Sequence, residues 1–150
     1  MPRQWFISDL HLAIDRPRTL QRFEDFVAQY PQSGDRLFIR GDLFDLWIGD
    51  GEDIELADRV RRALRQTADR GVRLFIQRGN RDFAMGRRLM RDTAATLLPD
   101  TYVTQVAGEP TLLMHGDLLC TDDVEYQQLR RRLRNPVFLW LMLRKPLVER

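Results

Sequence analysis

Cysteine is nearly absent: Cys120 is the only one in 150 residues, so no disulfide can close within the chain. The fold must rest on burial and hydrogen bonding, and the thiol count agrees with a reducing compartment. Long apolar runs are also missing. The longest, Val137 to Leu143, is far short of the roughly 20 residues that a spanning helix needs. The N-terminus lacks a basic start followed by an apolar stretch, which predicts no signal peptide. There is little net charge, only +2, so overall charge gives no reason to expect a nucleic-acid partner. Repeats and low-complexity linkers are absent as well. Histidine is scarce, with two in the chain, His11 and His115.

What remains is an ordinary globular composition, 43% hydrophobic and 31% charged. The length suits one domain, and a chain of this size buries roughly two-thirds of its unfolded surface. Short apolar runs at Trp5–Ile7, Leu37–Ile39 and Val72–Ile76 predict strands. Between them, helical spacing of apolar residues predicts helices over Thr19–Tyr30 and Glu52–Arg70, the second stopped by Gly71. A further helix is expected over Arg87–Thr96. Strands are expected at Tyr102–Val106 and Thr111–Met114, joined by a turn at Gly108-Glu109-Pro110. Strands alternating with helices predict an α/β layered fold, a β-sheet core flanked by helices.

The polar residues sit where the strands end. The first strand runs into Ser8-Asp9-Leu10-His11 and the second into Gly41-Asp42-Leu43-Phe44-Asp45. The third runs into Gly79-Asn80-Arg81-Asp82, and the strand ending at Met114 runs into His115-Gly116-Asp117. In open α/β sheets ligands bind outside the carboxyl ends of strands. Four strand ends would therefore deliver Asp, His, Asn and Arg to one rim. Carboxylate oxygens and neutral imidazoles suit divalent metals such as manganese, iron and zinc. Asp9 and His11, two apart on an extended segment, can approach one ion together. Asp42 has two oxygens and can bridge two ions, and Asn80 and His115 could complete a second site. Two ions about 3.5–4 Å apart can clamp a phosphoryl group. Taken singly, each motif also reads as a turn or a cap. Their joint occurrence after successive apolar strands favours a metal site.

Asp-x-His, Gly-Asp-x-x-Asp, Gly-Asn-x-Asp and a later His resemble, in that order, the calcineurin-like metallophosphoesterases. The resemblance spans Asp9 to Asp117. Gly41-Asp42-Leu43-Phe44 with Trp47-Ile48-Gly49-Asp50, Gly79-Asn80-Arg81-Asp82-Phe83, and His115 through Cys120-Thr121-Asp122-Asp123 look like the UDP-2,3-diacylglucosamine diphosphatase branch. That resemblance implies hydrolysis of the pyrophosphate of UDP-2,3-diacylglucosamine to UMP and 2,3-diacylglucosamine 1-phosphate. It implies two manganese(II) ions, and a peripheral place at the cytoplasmic face of a Gram-negative inner membrane. It also implies Asp9 and His11 as ligands of the first metal, Asp42 as the bridge, and Asn80 and His115 as ligands of the second. Asn80, Arg81 and Asp123 match substrate-contacting positions. For Asp123 a second reading stays open, that Asp122 or Asp123 caps the helix starting near Val124. Asp45 and Asp82 are expected to hold ligands in place. Cys120 is expected to be structural or incidental.

Two departures stand out. The wider family usually has histidine where Arg81 stands. Arginine is a poor general acid but forms bidentate bonds to phosphate. A phosphate leaving group mainly needs its charge stabilised, so Arg81 as catalytic residue suits a diphosphate substrate. The second departure is that the family carries a Gly-His-x-His segment supplying one more ligand to each metal. Both histidines here are already assigned, so the fold is expected to continue past Arg150.

The sequence divides into a metallophosphoesterase core over residues 1–123 and a helical, apolar and basic segment over 124–150. In that segment Arg130, Arg131, Arg132, Arg134, Arg144, Lys145 and Arg150 surround Pro136–Leu143. The apolar run reads either as an interfacial or acyl-contacting helix or as core packing. Two rivals remain, another metallophosphoesterase such as a nucleotide or protein phosphatase, and a truncated metal- or partner-binding scaffold.

Overall fold

The computed structural model describes residues 2–49 and 55–145; Asp50, the expected helix start at Glu52, and Arg150 lie outside them. The short apolar runs form β1 (Gln4–Ile7), β2 (Arg36–Arg40) and β3 (Arg73–Gln77), and a two-residue β4 (Thr96–Leu97) extends the sheet. The strands lie in sequence order and all pair in parallel. Between them run α1 (Pro17–Gln29), α2 (Glu55–Asp69) and α3 (Arg87–Thr93). Crossovers of one hand between strands taken in sequence order place their helices on one face. Leu20, Phe23 and Val27 of α1, Val60 and Leu64 of α2, and Leu89 of α3 meet Leu37, Ile39, Leu74 and Ile76 in one core.

Side chains alternate along a strand, so Phe38, between Leu37 and Ile39, points to the other face. There Phe6, Phe38 and Phe75 stack in register, with ring centroids 5.0 and 4.8 Å apart. Leu98, Leu113 and Tyr102 pack on the ladder. The last two belong to an antiparallel hairpin of β5 (Thr101–Val106) and β6 (Glu109–Met114). The layers are therefore helices, parallel sheet and hairpin, which is the expected α/β class.

Two local expectations fail for identifiable reasons. The third helix ends at Thr93 rather than Thr96, because Ala94 turns left-handed at φ 56° and releases Thr96 and Leu97 to pair with Phe75 and Ile76. The hairpin turn is Ala107-Gly108, with φ 51° and 91°, and Glu109 and Pro110 belong to β6. A two-residue loop with both residues at positive φ matches the twist of the strands it joins. Beyond β6 come a 3-10 turn at Asp117–Leu119, then α4 (Val124–Leu133) and α5 (Pro136–Leu143). In α5, Leu139 packs into the main core while Val137 is 64% and Trp140 55% exposed. No helix among the described residues is long and apolar enough to cross a membrane.

Candidate metal centre

Past their last paired residues, β1 and β2 continue side by side as loops. Asp9 N donates to Gly41 O at 3.2 Å, His11 N to Asp42 O at 3.0 Å, and Leu12 N to Leu43 O at 2.9 Å. Asp9, His11 and Asp42 hold φ of 55°, 46° and 51°, a left-handed conformation costing a non-glycine residue roughly 1–2 kcal/mol. Such strain persists where surrounding contacts over-determine it, and it clusters at functional sites. Here it turns three candidate ligands out of the strand direction and onto one rim.

Close approach of the β2 and β3 loops depends on glycine. A Cβ on Gly79 would sit 2.0 Å from Asp42 Oδ1, and one on Gly41 would sit 2.5 Å from His115 Nδ1. With no Cβ at either position, Asp42 is buried and its Oδ1 accepts from Arg81 N at 2.9 Å. Its Oδ2 then lies between the two histidines, 3.7 Å from His11 Nε2 and 3.6 Å from His115 Nε2. That is the placement a bridging carboxylate requires.

The histidines are oriented from behind. His115 Nδ1 is 2.9 Å from Arg40 O, and a carbonyl only accepts, so Nδ1 carries the proton and Nε2 presents its lone pair. Asn80 Oδ1, another acceptor, lies 3.1 Å from that Nε2. Asn80 Oδ1, His115 Nε2 and Asp42 Oδ2 thus converge lone pair to lone pair. A second ring proton, a flipped Asn80 amide or a shared cation reconciles them, and this donor set suits a divalent cation. His11 Nδ1 is 3.5 Å from Asp45 Oδ1, without hydrogen-bond alignment. Asp45 in turn faces Arg16 Nη1 at 3.4 Å.

Ligand atoms of Asp9, Asp42 and His115 all lie within 4.8 Å of one another. Of the metal candidates read from the sequence, these three converge directly; His11 joins them through Asp42 Oδ2 and Asn80 through His115 Nε2. The residues fit divalent ions. Asp82 is not among them. It is wholly buried and accepts from Gly79 N and Leu43 N, both at 2.7 Å, lashing the β2 and β3 loops together. Burial raises its pKa and the nearby Asp42 charge adds to that, against the lowering by these amides.

A cavity of about 370 Å³ opens beside the rim, lined by Asp9, Asn80, His115, Asp117, Asp123 and Tyr126 among others. Asp123 caps α4, accepting from Tyr126 N at 2.9 Å, and also lines this cavity. Arg81 is exposed beside Asn80, and its main chain is pinned on both sides, N to Asp42 and O accepting from Trp47 N at 3.1 Å.

Sequence reading missed a group behind the cavity. Asp117 accepts from Tyr126 Oη and Arg130 Nε, both at 2.7 Å. Burial pushes the Asp117 pKa up, but those bonds outweigh it and hold the carboxyl below its usual range; burial first, and then the bond to Asp117, raises the Tyr126 phenol. The spacing of Tyr126, Arg130 and Arg134, every fourth residue, was the available signal.

The model of the calcineurin-like phosphoesterase family matches residues 2–147. UDP-2,3-diacylglucosamine hydrolase of Pseudomonas paraeruginosa is 47% identical over 97% of this chain and 60% of its own length. The protein of the same name from Actinobacillus succinogenes is 44% identical over all of this chain and 64% of its own. The chain thus spans about 60% of the length of the curated relatives it matches. A solved protein of unknown function from Aquifex aeolicus shares the fold, with TM-score 0.51 and 17% identity over 87% of this chain and 70% of that one.

Proposed function

This chain belongs to the calcineurin-like phosphoesterase family, and on that premise we propose that it forms the metal-binding part of a hydrolase cleaving the pyrophosphate of UDP-2,3-diacylglucosamine. The products are UMP and 2,3-diacylglucosamine 1-phosphate. The observation that carries the reading is Asp42 Oδ2, set between His11 Nε2 and His115 Nε2. Relatives at 44–47% identity that bear this hydrolase name support the substrate.

Divalent metal ions are the cofactor class of the family, and two manganese(II) ions are the proposed occupants. Asp9, His11 and Asp42 would hold one, and Asp42, Asn80 and His115 the other. When bound, such a pair lowers the pKa of water and neutralises phosphoryl oxygens. The chain's own residues supply the rest. Asn80 and Arg81, adjacent at the end of β3, receive the diphosphate. The Arg81 guanidinium offers a planar, permanently charged fork to the departing phosphate. That group leaves as a stable anion, so charge stabilisation matters more than proton donation. Asp123, on the cavity wall, would accept from a sugar hydroxyl or the uracil N–H.

A lipid-linked substrate also fits a peripheral place on the cytoplasmic face of a Gram-negative inner membrane. Val137, Phe138, Trp140 and Leu141 are exposed on α5, and the Arg144 guanidinium lies 4.2 Å over the Trp140 ring. Apolar side chains beside a basic group favour an anionic lipid surface.

The test is incubation of the whole hydrolase, of which this chain is the metal-binding part, with manganese and UDP-2,3-diacylglucosamine, with UMP release followed by mass spectrometry beside p-nitrophenyl phosphate. UMP release is the expected outcome. Hydrolysis of the monoester alone would move the protein to the monoesterases of the family.

A further inference from the structure

Of the four loops at the rim, those of β1 and β2 are joined by their own backbone hydrogen bonds. The loops carrying Asn80 and His115 come from different layers, one from the parallel sheet and one from the hairpin. Within the strands, Gln77 Nε2 ties them by donating to Leu113 O at 3.2 Å. Past the strand ends, both loops reach α4, a helix that contributes no metal ligand.

The contacts come from one face of that helix. Arg134 Nη2 donates to Arg78 O at 3.2 Å and Gly79 O at 3.0 Å, the two carbonyls just before Asn80. One turn earlier, Arg130 Nε donates at 2.7 Å to Asp117, two residues after His115. A further turn back, Tyr126 Oη donates to the same carboxylate. Asp100 joins the arginines, with Oδ2 2.7 Å from Arg130 Nη2 and Oδ1 3.1 Å from Arg134 Nη1. Both arginine side chains are only about a tenth exposed, at 10% and 11%. Positions 126, 130 and 134 fall on one helical face by the four-residue spacing. A planar guanidinium can span two successive carbonyls, which a lysine ammonium does less well. Charged donors to partly buried acceptors are the strong class of hydrogen bond.

We propose that this Tyr126–Arg130–Arg134 face is a positioning device that sets the distance between Asn80 and His115, with Arg134 its principal positioning residue. The inference rests on the two-ion reading above. It predicts a selective effect. Asn80 and His115 are held from the sheet side through Asp82 and Arg40 O and from the other side through α4, whereas Asp9 and His11 are fixed by Gly41 O and Asp42 O without α4.

The two histidines report the two ions separately, so the test is a zinc(II) titration of protein labelled with 15N-histidine, without substrate. Ring nitrogens shift when they ligate. Wild type should show His11 and His115 each responding. In Arg134→Ala the His115 midpoint should rise on the order of ten- to a hundredfold, the range for losing a group that orients a ligand, with His11 little changed. Arg134→Lys should fall between. Arg131→Ala, on the exposed outer side of α4, should change neither. Should Arg134→Ala fail to fold, Arg134→Lys and Asp100→Asn must show the same His115-first order. Equal shifts at both histidines, or none, would overturn the positioning role. A wild type with a single binding step would overturn the two-ion reading, and this inference with it.

Discussion

Two buried carboxylates at opposite ends of the sheet, Asp35 and Asp82, have similar partners and titrate in opposite directions. Asp35 precedes β2. It accepts from Gln32 N at 3.0 Å, Trp5 Nε1 at 2.9 Å and Arg3 N at 2.7 Å. Those bonds, the Gln32 amide first, hold its pKa down at about 2. Asp82 follows β3 and also accepts from backbone amides, yet burial and the Asp42 charge push it up. One end of the sheet surrounds a lone charge with dipoles. The other crowds carboxylates together, because a metal rim needs them there. Local rules of electrostatic comfort are broken where function sits and kept where only folding is at stake.

Five substitutions test that contrast, in descending order of effect. Asp42→Ala should lose both metal ions, and His11→Ala mainly the first, as read by metal analysis of purified protein. Normal two-ion occupancy in Asp42→Ala would remove Asp42 as the bridge. Asp82→Ala orphans buried amide donors at about 1–3 kcal/mol each, so denaturant unfolding should show a loss above about 3 kcal/mol. A loss under about 1 kcal/mol would mean that relief of charge crowding between Asp82 and Asp42 offsets the lost hydrogen bonds. Arg81→Ala should cut turnover on the order of a hundredfold with metal content intact; unchanged turnover would place charge stabilisation elsewhere.

The smallest effect belongs to the quiet end of the sheet. The folded pKa of Asp35, about 2, lies below its ordinary 3.8. The stability it contributes is therefore fully present above about pH 3.8 and is lost as pH falls through about 2. Asp35→Asn should lower stability at neutral pH and flatten its decline over that acid window. An unchanged acid limb would mean that the Asp35 bonds persist in the unfolded chain.

The sequence disclosed most of the rim because each ligand follows an apolar run short enough to be a strand. It disclosed β1, β2 and β3 because Trp5–Ile7, Leu37–Ile39 and Val72–Ile76 have no competing helical period. It hid β4, since Thr96 and Leu97 pair only because Ala94 breaks α3, and a left-handed alanine leaves no signature in composition. The hairpin turn was set one residue late at its start and two at its end because Pro110 looked like a turn residue, while the positive φ fell on Ala107 and Gly108. Arg130 and Arg134 were read as members of a basic surface cluster. Their partners, Asp100, Asp117 and the carbonyls of Arg78 and Gly79, are at least 13 residues away in sequence, and nothing local announces such pairings.

The order of the strands has a consequence for how the protein is made. Each strand of the parallel sheet pairs with the one synthesised just before it, so loop closure stays short and the sheet can grow during translation. Asp9, His11, Asp42 and Asn80 are in place once β3 has docked. His115 arrives later, on a hairpin from the opposite layer. The nascent chain thus has an acidic, half-built rim until the hairpin brings His115 to it.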